Sequence, residues 1–269
     1  MIIHRDWAII TGKDKGMTVY VCEGSFEGIL CGVYDAWMSR KGHENVRLEL
    51  ENSGDMELFC SYEPVALCQE KAKKVISAIH KRLSEFVYEQ VYLASLSHKP
   101  ERADRIYRFL VDAFRYGDAV LKMFHLSSVF DLFALCRFVE HESHQLTGFL
   151  RFSRTEQGLL ISRIGPESDV VALLAVHFAD RLPSENWMIY DEHRKKAVVH
   201  PADKDWFILQ EDEGNWIKEL EWKTDEEEYA ALWKIFHQTV AISERVNLVC
   251  QRSLLPLRYR GYMTEFMGK

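Results

Sequence analysis

The chain has 269 residues, 47% of them hydrophobic and 28% charged, and a formal net charge of -7 at pH 7. That composition excludes a disordered chain and suffices for one large core or two modest ones. The acidic balance argues against a protein that coats nucleic acid non-specifically, because such binding relies on Lys and Arg to neutralise phosphates. The acids concentrate between Asp205 and Glu228, so a local basic face elsewhere is compatible with the total.

Cysteines stand at positions 22, 31, 60, 68, 136 and 250 without a CxxC pair or a closely spaced ligand set, a pattern of reduced thiols in a cytosolic protein. Residues 1–16 lack the apolar core of a signal peptide, and no apolar run approaches membrane-spanning length. The expectation is a cytoplasmic protein with no membrane partner.

Along the chain, residues 1–16 read as an extension. MTVYVCEG is a first strand, and Ser25 then caps a helix in which Phe26, Ile29, Leu30, Val33, Tyr34 and Trp37 share one stripe. Val46, Leu48 and Leu50 alternate with polar residues, and after Ser53-Gly54-Asp55 the run MELFCSYEPV suggests the returning arm of a hairpin. From Ala66 to about His98 the pattern is helical, with a break at Ser84. Pro100 opens another helix, whose Arg102, Arg105 and Arg108 read as a solvated face, with phosphate contact as the alternative. After Gly117, Leu126 to Val139 is apolar on nearly all sides, as a helix in the middle of a body would be.

Beyond Gly148 the period changes to that of strands. FLRFSR and LLISRI flank a turn at residues 155–158, and Gly165-Pro166 ends the hairpin. Ser168 or Asp169 can cap the next helix, with Val170, Leu173, Leu174, His177, Phe178 and Arg181 on one stripe. WMIYD and KAVVH form a second hairpin around Glu192-His193-Arg194, with WFILQ as a further strand. A long helix follows from near Asp225, and the tail RSLLPLRYRGYMTEF is basic and aromatic.

The sequence thus predicts an α+β protein in three parts. Residues 1–16 are the extension, 17–147 a helix-rich lobe with a small antiparallel sheet, and 148–269 an α+β lobe. The last carries a β-β-α-β-β-like antiparallel sheet, a long closing helix and the basic aromatic tail.

The densest reactive stretch is EHESHQLTGFLRF, residues 140–152. Leu135, Val139, Glu142 and Leu146 share a stripe if the helix continues, which buries Glu142 and calls for a partner. Glu142 and His144 can then share a site only if the helix ends or bends near Ser143. The alternatives are a catalytic pair and a Glu142 that braces a neighbouring element. His177 is the other catalytic candidate, against a simple core role. With neither HxxxH nor HExxH present, no metal is expected, and no cofactor motif is present either. Arg151, Arg154, Arg181, Arg245, Arg258 and Tyr259, interleaved with aromatics, are the candidate nucleic-acid contacts.

Taken together, CEGSFEGILCGVYDAW, the EHESHQLTGFLRF block, VHFADRLPSENWMIYDEHR, and ISERVN followed by LPLRYRGYMTEF resemble the "probable DNA metabolism protein" family from Met17 to Phe266. The pattern matches at Glu142, His144, Gly148, Phe149, Arg151, Phe152, His177, Phe178, Arg181, Trp187, Tyr190, Asp191, Arg245, Pro256, Arg258 and Tyr259. Members are linked to a radical SAM protein of DNA modification or repair, and related domains occur fused to uracil-DNA glycosylase-like domains. The resemblance therefore implies DNA and a radical SAM protein as partners, and makes Met17 a start point. The expected function is a DNA-binding accessory protein. The alternatives are an enzyme acting on damaged or modified DNA by His/Glu acid-base chemistry, and an interaction module that never touches nucleic acid.

Overall fold

The computed structural model describes residues 16–51, 56–155, 157–210, 233, 235, 239 and 247–266. The chain divides into two compact units. The first holds the described residues through Ser95 together with Lys99–Phe133, and the second holds Leu96–His98 and the described residues from Ala134 onward. The boundary falls inside a helix rather than at the period change after residue 147. The mixed helix and strand content agrees with an α+β class.

In the first unit, β1 (Met17–Cys22) leads into α1 (Phe26–Met38), and Ser25 accepts a hydrogen bond from the Gly28 amide at 3.1 Å, as a cap should. Ile29, Leu30 and Val33 are buried. At Gly32 a Cβ would stand 3.0 Å from Leu48 and 3.3 Å from the Cys22 thiol, so glycine lets α1 lie close on the sheet.

That sheet is not the expected antiparallel hairpin. β2 (Val46–Leu50) and β3 (Cys60–Pro64) flank β1 on opposite sides, both parallel to it, in the order β2-β1-β3. The reason lies in β1, which is buried along most of its length and has both edges paired, while α1 returns the chain for a parallel crossover.

α2 (Gln69–Arg82) and α3 (Glu85–Ser95) are separated at Leu83-Ser84, where the Ser84 amide donates to Asp118 at 2.8 Å. In α4 (Arg102–Tyr116) the arginines are braces rather than a solvated face. Arg102 donates to the Gly24 carbonyl at 2.8 Å, Arg105 pairs with Glu101 at 3.0 Å, and Arg108 pairs with Asp104 at 3.2 Å while donating to Val46 and His43 carbonyls. A short 3-10 turn, Gly117–Lys122, leads to α5 (Ser127–Phe149).

In the second unit, α5 is followed by a sheet of order β4-β5-β6-β7-β8, built from Ser153–Arg154, Leu160–Ile164, Trp187–Asp191, Lys196–His200 and Phe207–Gln210. Its middle departs from the antiparallel expectation: β5 and β6 run parallel, joined by α6 (Val171–Arg181), while the other pairings are antiparallel. A strand, a helix and a strand in sequence favour that crossover whenever the helix covers the sheet. The cap of α6 is also not the predicted one. Val170 occupies the cap position, the Ser168 amide goes to Glu142, and Asp169 accepts from Lys196 at 2.7 Å.

Central β6 is buried at every residue. Around it Phe152 meets Phe178 edge-on at 5.2 Å, and His200 stacks on buried Trp187 at 4.9 Å with nearly parallel planes. The tail forms α7 (Leu248–Leu254), capped by Asn247, and α8 (Leu257–Arg260). The expected closing helix falls largely outside the described residues, of which Trp233, Ile235 and Thr239 are helical. Among the described residues, no single helix is long and apolar enough to cross a membrane.

Candidate functional site

Because α5 runs unbroken to Phe149, Glu142 stays on the inward stripe with Leu135, Val139 and Leu146. It is 1% exposed. A carboxylate so placed needs donors, and the chain delivers them from two distant segments.

The first segment is the loop between β5 and α6. Glu142 Oε1 accepts the Glu167 amide at 2.8 Å and Oε2 accepts the Ser168 amide at 2.8 Å. The second is α8, where the Tyr259 hydroxyl donates to Oε1 at 2.9 Å and Arg258 Nη2 approaches it at 3.4 Å. Burial alone would push the Glu142 carboxyl up, but the two amides and the Tyr259 hydroxyl outweigh it and hold the group below its ordinary value of 4.5. Tyr259, itself buried, accepts from Arg258 at 2.9 Å. Burial raises its phenol further out of the physiological range, with the neighbouring Glu142 adding to the shift.

Other groups close on the same loop. Arg258 Nη1 pairs with Glu167 at 2.9 Å, and His98 Nε2 lies 3.8 Å from the other Glu167 oxygen. Arg194 donates to the Pro166 carbonyl at 3.2 Å and to the Glu167 carbonyl, while pairing at 2.9 Å with Asp191, which is wholly buried. Burial pushes the Asp191 carboxyl up, and Arg194 offsets this only in part. A Cβ at Gly165 would run into the Tyr262 hydroxyl, so only glycine lets the tail approach here. Tyr262 donates to Glu192 at 3.1 Å, and burial raises its phenol to about 12.

The other sequence candidates lie elsewhere. His144 is exposed, two residues along the same continuous helix and on another face from Glu142. His177 is exposed too and meets the edge of Phe178 at 5.0 Å, so the stripe that carries Leu174 and Phe178 inward does not include it. Arg151 is spent on Glu265, whose carboxylate it grips through Nη2 at 2.8 Å and Nε at 3.4 Å, and it lies 5.7 Å over Trp233. Burial raises the Glu265 carboxyl, and Arg151 with the remaining donors reverses this to hold it low. Arg154 is exposed and reaches Glu185 at 3.4 Å; Arg181 is exposed. Arg245 lies outside the described residues.

The structure therefore brings Glu142, Arg258 and Tyr259 together and keeps His144, His177, Arg154 and Arg181 apart from them. Sequence reasoning missed Glu167, Asp191 and Arg194 as site members. Their signal was present: a Gly-Pro-Glu-Ser turn between strand and helix, and Asp191 with Arg194 three residues on. Chemically, the cluster is a clamp. Its carboxylate is ionised, buried and held by four donors, so at neutral pH it has no proton to give and almost no exposure to solvent. Among the described residues, no group of three or more His, Cys, Asp or Glu side chains is placed to hold a metal ion.

Residues 100–265 match the family model of a domain of unknown function, DUF4130. The chain belongs to that family, and the match contains every member of the Glu142 cluster except His98. No curated protein matches the chain.

Proposed function

We propose that this DUF4130 chain is a non-catalytic accessory protein of DNA repair or modification, one that binds DNA and works with a radical SAM partner. The context rests on the resemblance in motif order from Met17 to Phe266. The observation that carries the non-catalytic part is the engagement of Glu142, the one buried acid of the EHESHQ stretch, by loop amides, Tyr259 and Arg258. The Glu142/His acid-base reading needs that carboxylate to orient His144 or His177, and both histidines are exposed whereas Glu142 is buried. Of the arginines read as phosphate contacts, the exposed Arg154 and Arg181 suit that role best.

The test is fluorescence anisotropy of a labelled oligonucleotide, single-stranded and duplex, at about 50 mM and about 200 mM salt. Lesion-bearing oligonucleotides are incubated with the protein in parallel. The expected result is binding that weakens steeply with salt and leaves the DNA chemically unchanged. Absence of binding at low salt would favour a pure interaction module, and turnover lost in His144→Ala would establish the enzyme instead.

A further inference from the structure

In the first unit, Glu70, Lys73, Lys74, Ser77, Ala78, Lys81 and Arg82 of α2 line a concavity of about 440 Å³. Their spacing places them on a single helix face. The floor is made by the small side chains Ser77 and Ala78, with Lys73 and Lys74 one turn before and Lys81 and Arg82 one turn after. Lys74 and Lys81 are seven residues apart, about 10 Å along a helix, which is the rise of roughly three nucleotides in one strand.

These cations are differently committed from the neighbouring Lys71, which is tied to Asp35 at 2.7 Å. Lys73 has only Glu70, at 4.0 Å and with both side chains more than half exposed, a pairing that counts for little. Among the described residues, no carboxylate pairs with Lys74, Lys81 or Arg82. Lys74 lies over Tyr34 at 5.5 Å, and Arg82 lies over Phe114 at 5.2 Å while donating to its carbonyl at 3.3 Å. In the same unit Phe86, four residues beyond Arg82 in the chain, and Tyr116 are 47% and 39% exposed, and Arg115 lies over the Tyr116 ring at 5.2 Å. Cations without carboxylate partners around a small-residue floor leave room for a phosphate backbone, and exposed aromatics in the same unit can stack bases.

We infer that this face of α2 is a DNA-backbone site, in which Lys73, Lys74, Lys81 and Arg82 hold consecutive phosphates across the Ser77-Ala78 floor. The inference rests on the DNA-binding reading above and moves its main contact outside the DUF4130 match.

Lys73→Gln/Lys81→Gln in the full chain tests it, since neither side chain packs on an aromatic ring among the described residues and Gln suits a helix. The salt dependence of oligonucleotide binding is compared with wild type, with circular dichroism and Tm as the folding control. The expected result is an unchanged Tm and a log K against log salt slope smaller by about 2, restored by Lys73→Arg/Lys81→Arg. Wild-type DNA binding with an unchanged slope in the Gln variant overturns this site and leaves the DNA reading standing. Wild type that binds no DNA overturns both, including the case in which it binds only phosphatidylserine vesicles.

Discussion

In the second unit, Arg151, Arg194 and Arg258 each meet a carboxylate almost wholly withdrawn from water, namely Glu265, Asp191 and Glu142. On α2 of the first unit, Lys73, Lys81 and Arg82 face solvent around a small-residue floor. The difference shows that cation type and number do not say which cations are open to a ligand; the position of the counter-charge does. Arginine's planar fork suits the buried, multiply bonded role, whereas lysine on a flexible stem suits a hydrated point contact with phosphate.

The sharpest way to break this contrast is Glu142→Ala. Removing the buried carboxylate leaves two amides and the Tyr259 hydroxyl proton without their acceptor, and the expected loss is about 3–5 kcal/mol, read from the denaturant midpoint. A loss below about 0.5 kcal/mol, typical of surface positions, would mean the clamp is not structural. Tyr259→Phe removes the hydroxyl's hydrogen bond to Glu142 and the one it accepts from Arg258, and is expected to cost about 1.5–3 kcal/mol.

Acid should act on the buried carboxylates of this unit. Glu142 and Glu265 are held below their ordinary value of 4.5 in the folded chain, so their contribution is complete above the unfolded value and is lost as pH falls through the folded one. Stability should therefore decline below about pH 4.5, and Glu142→Gln should flatten that decline in an acid titration of the unfolding midpoint. The raised Asp191 works in the opposite sense, favouring the fold at lower pH, so a variant at this position should steepen the acid limb. The smallest effect concerns thiols. Burial pushes Cys22 up to about 12, with Arg102 only partly opposing it. Iodoacetamide at pH 8 should therefore modify exposed Cys250 and spare Cys22 in the native chain, as mass spectrometry of the peptides would record.

Much of the secondary structure was legible because periodicity reports which side of an element is buried. The α1 stripe, the Ser25 cap, the Ser84 break and the turn between β6 and β7 follow from it. Strand direction did not, since alternation specifies a face and says nothing about which neighbour a strand chooses. Hence β2 and β3 looked like a hairpin yet both pair with β1, and β5 and β6 are parallel across α6.

At the site, the helical count correctly turned Glu142 inward, and the need for a partner followed from burial. Which partner could not be counted: Tyr259 and Arg258 are more than a hundred residues away in the chain. His177 stood between Leu174 and Phe178 on the apolar stripe, but the inward face of α6 is narrower than that stripe suggested.

One variant tests the contrast most directly. Arg151→Gln removes a cation that looked like a phosphate contact in the sequence and grips Glu265 in the structure. The account predicts a loss of stability of about 2–3 kcal/mol with the salt slope of DNA binding unchanged. A slope reduced by about 1 with Tm intact would contradict it, and would return Arg151 to the DNA-facing surface.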